Sequence, residues 1–393
     1  MRKKKLVSQS ISKTNKYNLQ MKQLLLLFVI TFLGCSEERK LSPLEVVLQS
    51  EKPAIKNVMD NLSAHEIQII YTQIDKDSDG NVVFTDYSFQ LDAINYFYPA
   101  STVKMPAAIT ALEYIDAHEK LSAASTYTIN GDTIFHSIED DVKQIFAVSD
   151  NEAYNRLYEL LGRDIINESL ESKGLDAVRI SHRLSTSNAS EAQRDTLYFG
   201  QEIKVIGAVD APIREISLKG TSKGIGYMRN DSLISKPMDF SQKNYFPLKT
   251  QHDILKRIFF ENNFPENERF KLSTSSMKLL KTSMYTVPRK LGYDEGEFYD
   301  SYGKFFIFGN SRGRIQDHIK IYNKVGYAYG TLTDTAFITD ERKDVSFLLS
   351  ATILVNKNGI FNDDIYEYED VGLQFLTELG RGLYHYELGR SKK

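Results

Sequence analysis

Tyr96-Phe97-Tyr98-Pro99-Ala100-Ser101-Thr102-Val103-Lys104-Met105-Pro106-Ala107-Ala108-Ile109 is the stretch on which the reading of this chain turns. Three aromatic residues and a proline set an apolar turn, and a helical run follows at once. Ser101 and Lys104, three residues apart at the helix start, lie on one face one turn apart. A serine hydroxyl is a poor nucleophile until a neighbouring base takes its proton. A lysine serves as that base only where burial or cationic neighbours depress its pKa. The helix start also brings backbone N–H groups to where an oxyanion forms. The same spacing occurs at Ser10/Lys13, Ser275/Lys278 and Ser301/Lys304, as chance supplies. Only Ser101 is framed by an apolar turn and a buried type of helix, and Pro106 sits near enough to the start to remove at most about one backbone bond.

Working outward, two further motifs stand in order along the chain. Ser149-Asp150-Asn151 separates helical segments, and Lys324-Val325-Gly326-Tyr327 lies on a strand. Residues 66–74 and 82–85 read as a hairpin around Asp79-Gly80, and 319–325, 330–339 and 345–356 read as strands. Helical patterns cover 44–59 (broken near Pro53), 104–118, 141–148, 152–161 (closed by Gly162) and 368–386. Residues 200–270 mix Gly, Lys, Pro and aromatics and read as a long loop-rich excursion. Strands at both ends with helices between predict an α+β fold: an antiparallel sheet flanked by helices, with an inserted helical lobe.

Ser-x-x-Lys, then Ser-Asp-Asn, then Lys-x-Gly resembles the class A β-lactamases and related penicillin-recognising serine hydrolases, within which the chain looks most like lipoprotein members. The resemblance covers residues 46–393, with 200–270 as an insertion. It implies a β-lactamase/transpeptidase-like fold with no cofactor, and a site whose residues have defined roles. Ser101 would be acylated, Lys104 would act as base or proton relay, and Ser149 would pass a proton to the leaving nitrogen. Asn151 would hold the acyl amide while Asp150 braces the loop. Lys324 would supply positive potential, with Gly326 and Tyr327 beside it in the substrate site. Backbone N–H groups of Ser101 and Tyr327 would form the oxyanion hole.

Two departures from the family pattern bear on activity. Val325 replaces the Thr whose hydroxyl helps bind a substrate carboxylate in Lys-Thr-Gly. Ser185, two residues after Arg183, stands where class A enzymes carry the Glu that activates the deacylating water. Glu191 nearby is the candidate stand-in for that base, the alternative being a solvated surface carboxylate, the commoner case for a displaced acid. The expected function is therefore a serine hydrolase acylated by an amide of a β-lactam or related cell-wall-type substrate. The alternatives are a D-alanyl-D-alanine carboxypeptidase or esterase, and a slow-turnover penicillin-binding lipoprotein acting as binder or sensor.

The 393 residues are 41% hydrophobic and 26% charged with a formal net charge of -3. That describes a soluble globular protein with no global pull toward nucleic acid. Residues 1–34 read as a signal peptide with an upstream basic leader, starting at Met1 or Met21, and 35–45 as a tether. The apolar run 24–33 is too short to span a bilayer and ends at Gly34-Cys35, the only cysteine. Lipidation of Cys35 predicts a cell-envelope protein, periplasmic or at the outer membrane; an uncleaved anchor or a buried structural Cys is the alternative. Asp75 to Asn81 mimics the start of a calcium loop, but Asp86 stands where the bidentate Glu belongs and the flanks are strand-like, favouring a hairpin turn. The histidines do not pair at ligand spacing, so no metal is expected.

Overall fold

The computed structural model describes residues 40–130 and 132–392. The signal segment and Cys35 lie outside them. Five strands form one antiparallel sheet: β1 Gln68–Lys76, β2 Val82–Phe89, β3 Ile319–Ala328, β4 Thr331–Asp340 and β5 Val345–Leu354, in the order β3-β4-β5-β1-β2. N-terminal and C-terminal strands thus share a sheet, with Ile70 opposite Ser350 where the two halves meet. β1 and β2 make the hairpin. Asp77 Oδ1 accepts from the N–H groups of Asp79 (2.9 Å) and Asn81 (2.8 Å), so its carboxylate is used on the turn itself.

Eight helices matter here: α1 Pro43–Leu48, α2 Pro53–Met59, α3 Lys104–Asp116, α4 Ile138–Ala147, α5 Asn151–Glu171, α6 Leu248–Phe259, α7 Thr274–Tyr285 and α8 Leu373–Gly389. The central strands are covered on both sides and alternate between two cores. Phe347, Leu349, Ala351 and Ile353 of β5 face α1, α2 and α8, whereas Leu348 faces the core built with α3 to α7. This two-sided burial runs nearly unbroken along β4 and β5, so β5 is mostly apolar and the Thr and Asp residues of β4 are buried with it.

Three sequence expectations change. The expected tether reaches 45, yet Ser42 and Glu45 form a capping box, Pro43 takes the first helical position, and Leu44 is buried, so residues 43–45 belong to α1 rather than to a tether. The break expected near Pro53 is present, with α1 and α2 divided just before it. The largest change is α6, inside the stretch read as loop. Leu248, Ile254, Leu255 and Ile258 give it a buried apolar stripe at helical spacing, which the Gly, Lys and Pro residues around it obscured, and Thr250, Gln251, His252, Lys256 and Arg257 are buried beside them. At Gly162 (φ 70°, ψ 173°) the helix does not close: it kinks and resumes to Glu171.

Two of the buried polar side chains of α6, His252 and Lys256, are paired with the sheet. His252 Nε2 meets Thr72 Oγ1 at 2.7 Å and its Nδ1 meets Ser350 Oγ at 2.9 Å, tying α6 to β1 and β5. Lys256 Nζ donates to both Asp86 oxygens at 2.7 Å. Burial, reinforced by the Lys256 charge, holds the His252 imidazole well below its ordinary pKa, so it is neutral in the fold. The unfolded chain binds a proton there below about pH 6.5 and the folded chain does not, so this group leaves stability untouched above that pH and lowers it as pH falls. Thermal unfolding followed by circular dichroism from pH 7.5 to 4.5 is expected to show a falling Tm. His252→Leu, which removes both bonds and the titration, should unfold about 1–3 kcal/mol more easily at pH 7.5 but lose Tm less steeply with acid; an unchanged slope would contradict the assignment.

Candidate active site

Ser101 lies in a 3-10 turn, Ala100–Val103, that runs directly into α3. Thr102 closes the turn on the Pro99 carbonyl through its N–H (3.1 Å) and its hydroxyl (2.8 Å). Ala100 is held at φ 47°, a left-handed conformation costly for a residue with a Cβ. The turn is over-determined by the buried rings of Tyr96, Phe97 and Tyr98, which pack with Phe240 and Tyr245. Ser149, Ser185 and Tyr329, all at the same cleft, also have positive φ (58°, 51° and 52°). Strained backbone thus concentrates around Ser101.

α3 is buried on nearly every side, and Lys104 at its start is 0% exposed. Burial, only partly opposed by Asp150, pushes its pKa down to about 7. Its Nζ donates to the Ser149 carbonyl and to Asn151 Oδ1 at 2.6 Å, with Ser149 Oγ at 3.4 Å. Lys324 Nζ donates to the same Ser149 Oγ at 2.8 Å and to the Val325 carbonyl at 2.9 Å. The Lys324 pKa is lowered by burial first and then by the Lys104 and Lys304 charges. Two amines therefore converge on one serine hydroxyl. Asp150 accepts from the Ala153 N–H at 2.8 Å as the N-cap of α5, which fixes the Ser149–Asn151 corner.

Ser101 Oγ makes no hydrogen bond among the described residues, so the direct bond expected to Lys104 or Ser149 is absent. Lys104 spends its reach on Ser149 and Asn151 instead. β3 is the edge strand of the sheet and lies against the Ser101 turn. A Cβ at Gly326 would come within 2.5 Å of the Pro99 carbonyl oxygen and 2.9 Å of the Ser101 and Thr102 nitrogens. Only glycine allows this main-chain approach. No backbone carbonyl of the described residues accepts from the Ser101 N–H. Tyr327 follows on the cleft wall with 46% of its surface exposed. Val325 points the other way, into the core with Phe305 and Leu332.

The opposite wall is residues 179–194. Arg183 is buried and bridges Glu159, with its remaining N–H groups on the carbonyls of Glu191 (2.8 Å) and Gln193 (3.0 Å). This staples the segment so that Ser185 Oγ accepts from Asn151 Nδ2 at 3.0 Å. Glu191 contributes its carbonyl to Arg183 while the residue is exposed and does not line the cleft. It is not in position to serve as the deacylating base. His182 is buried beside it, donating from Nδ1 to the Arg183 carbonyl at 2.6 Å, and desolvation brings its pKa down to about 4. The one carboxylate among the described lining residues is Asp364, on the far rim with Tyr366. The cleft between these walls has a volume of about 720 Å³. Among the described residues no His, Cys, Asp or Glu cluster could hold a metal.

Sequence reasoning missed Lys243, His182 and the tyrosines Tyr329, Tyr366 and Tyr368 as cleft residues. Lys243 reaches the site because Tyr245 pairs in antiparallel fashion with Arg179. No local pattern announces a bridge across that sequence separation.

Residues 52–211 match the family model described as the beta-lactamase enzyme family. No curated protein matches the chain. Among solved structures, the beta-lactamase from Desulfarculus baarsii aligns at 12% identity over 90% of this chain and 100% of its own, with a TM-score of 0.51. A beta lactamase from Xanthomonas campestris pv. campestris aligns at 14% identity over 88% and 99%, with a TM-score of 0.50. The likeness to these structures is one of fold. With Ser101, the Ser149–Asn151 corner and Lys324 gathered at one cleft, the chain has a β-lactamase-like fold, and its residues 52–211 are similar to the beta-lactamase enzyme family.

Proposed function

We propose that the protein is a serine acyl-transfer enzyme that opens an amide or ester of a β-lactam or related cell-wall-type substrate by acylating Ser101, and that it releases the acyl group slowly. The observation that carries this reading is the hydroxyl of Ser149 held between Lys104 and Lys324. A neutral Lys104 amine has two N–H groups, matched by the Ser149 and Asn151 oxygens, and one lone pair left for a proton from Ser101 Oγ. With its pKa near 7 the amine is substantially neutral at physiological pH, as a general base requires. In this mechanism Ser101 Oγ attacks the carbonyl carbon while its proton passes to Lys104. The tetrahedral oxyanion is met by the N–H groups of Ser101 and Tyr327. Ser149 then gives its proton to the leaving nitrogen and recovers one from the flanking lysines, the C–N bond breaking to leave an ester on Ser101.

Release needs a base to activate water, a contribution of about 10²–10⁴. Ser185, bound to Asn151, stands where that carboxylate belongs, and Glu191 faces away. This favours the second reading, a penicillin-binding sensor or binder, over rapid turnover. A carboxypeptidase or esterase would use the same acylation steps. The signal-like segment ending at Gly34-Cys35 supports a lipid-anchored place in the cell envelope as part of this proposal.

A fluorescent penicillin is expected to add one acyl group to Ser101 by intact mass, with a burst followed by slow release. Ser101→Ala should give no adduct, and Glu191→Gln should leave release unchanged; fast, burst-free turnover would refute the reading. The acylation rate should rise with pH through about 7, because the protonated Lys104 cannot accept the Ser101 proton. A flat profile from pH 6 to 8.5 would remove Lys104 as base. Gly326→Ala should slow acylation by about 10²–10³, the scale of one lost oxyanion donor, since its methyl must push β3 off the Ser101 turn. Retained acylation in that variant would show that the close approach does not matter.

A further inference from the structure

The cleft wall contributed by the 200–270 stretch holds a cation whose charge no group among the described residues meets. Lys243 lines the cleft and is half-buried, yet its ammonium makes no hydrogen bond or ion pair among the described residues. The other cations at the site are engaged. Arg183 is bound to Glu159 and to main-chain carbonyls, and Lys104 and Lys324 are bound to the Ser149 corner. Asp364, the lining carboxylate, does not pair with Lys243 and exerts its charge on Tyr329 and Tyr366. Burial lowers the Lys243 pKa below the ordinary lysine range with no compensating anion, so the free protein carries a desolvation cost that a bound anion would offset.

The backbone presenting this ammonium is fixed. The Lys243 N–H donates to the Phe240 carbonyl at 3.0 Å, and Arg179 Nε donates to the Lys243 carbonyl at 3.0 Å. The neighbouring Asn244 Oδ1 accepts from the Ser181 N–H at 2.7 Å, which locks residue 243 to the segment leading through His182 to Ser185. Ser185 in turn holds Asn151. Lys243 is therefore tied through this segment to Asn151, which the family resemblance gives the role of holding the acyl amide, and lines the same cleft as Tyr327, Tyr366 and Tyr368.

We propose that Lys243 is a specificity-determining residue that pairs with a carboxylate carried on the acyl portion of the substrate, so that the preferred acyl donors are anionic on that side. The assignment rests on the serine-hydrolase reading, and the experiment separates the two. Ser101 is first titrated with a fluorophosphonate, with Ser101→Ala as control. Acylation rates are then measured with 4-nitrophenyl esters of 4-carboxyphenylacetic and 4-methylphenylacetic acid, which differ in one carboxylate, and with the penicillins bearing a phenylacetyl or an α-carboxyphenylacetyl side chain.

The wild type should favour the anionic donor of at least one pair by about tenfold, the scale of a partly screened ion pair. Lys243→Gln should bring that ratio near one, and Lys243→Arg should restore it. A merely structural lysine would alter both donors alike and leave the ratio unmoved. A ratio near one in the wild type, or an equal ratio in Lys243→Gln, overturns the Lys243 assignment while Ser101 labelling keeps the hydrolase reading. Labelling by the fluorophosphonate with no reaction of either anionic donor also overturns it. Absence of any adduct on Ser101 overturns the hydrolase reading and this assignment with it.

Discussion

Lys104 and Lys324 both reach one serine, and each comes from a different part of the fold. Lys104 belongs to the buried helix α3, Ser149 to the corner between α4 and α5, and Lys324 to the edge strand of the sheet. Two ammonium groups flanking one hydroxyl in a desolvated pocket repel each other strongly, so the arrangement favours a shared, partly discharged state. The helical lobe and the sheet must sit in one relation for that contact to exist. Gly326 sets the distance of approach, because its missing side chain lets β3 meet the Ser101 turn main chain to main chain.

Keeping three buried lysines near one another has structural consequences beyond the cleft. Lys304 is fully buried behind Lys324, donating to the Met284 carbonyl at 2.7 Å and to Asn323 Oδ1 at 2.5 Å. Asn323 passes the link to Asp334 at 2.7 Å, whose other oxygen accepts from the Phe305 N–H at 3.0 Å. Each group in this chain is satisfied, which is the condition under which a buried polar network is tolerated. Its charge reaches Lys324, so a network outside the cleft contributes to the potential inside it.

The opposite wall is organised by Arg183. Its guanidinium would leave several buried carbonyls unpaired if removed, and the residues it gathers include Glu191, whose carbonyl it holds. The same staple that presents Ser185 to Asn151 thus leaves the Glu191 side chain outside the cleft. Under the proposed mechanism, a chain with acylating groups in place and no carboxylate at the water-activating position is poised for the first half of an acyl-transfer cycle more than for the second.

What could be read from the residues alone was local. Ser101 and Lys104 at a helix start, the Asp-Gly hairpin, the Asp150 cap and the strand pattern of 319–354 depend on neighbours a few residues away, and short-range sterics and hydrogen bonding determine them. The order of motifs along the chain carried the fold as well. Three features needed the tertiary structure. For helix α6 the apolar stripe was in the sequence, but the partners of its buried polar groups, on β1, β2 and β5, are distant in sequence and belong to the packed fold. Lys104 turns to Ser149 and Asn151 rather than Ser101 because the corner at 149–151, not the helix spacing, decides where its amine finds acceptors. Lys243 entered the cleft through a bridge between residues 179 and 245. Pairing across such separations is decided by the packed whole, since a long-range contact forms only where burial elsewhere has already brought both segments together.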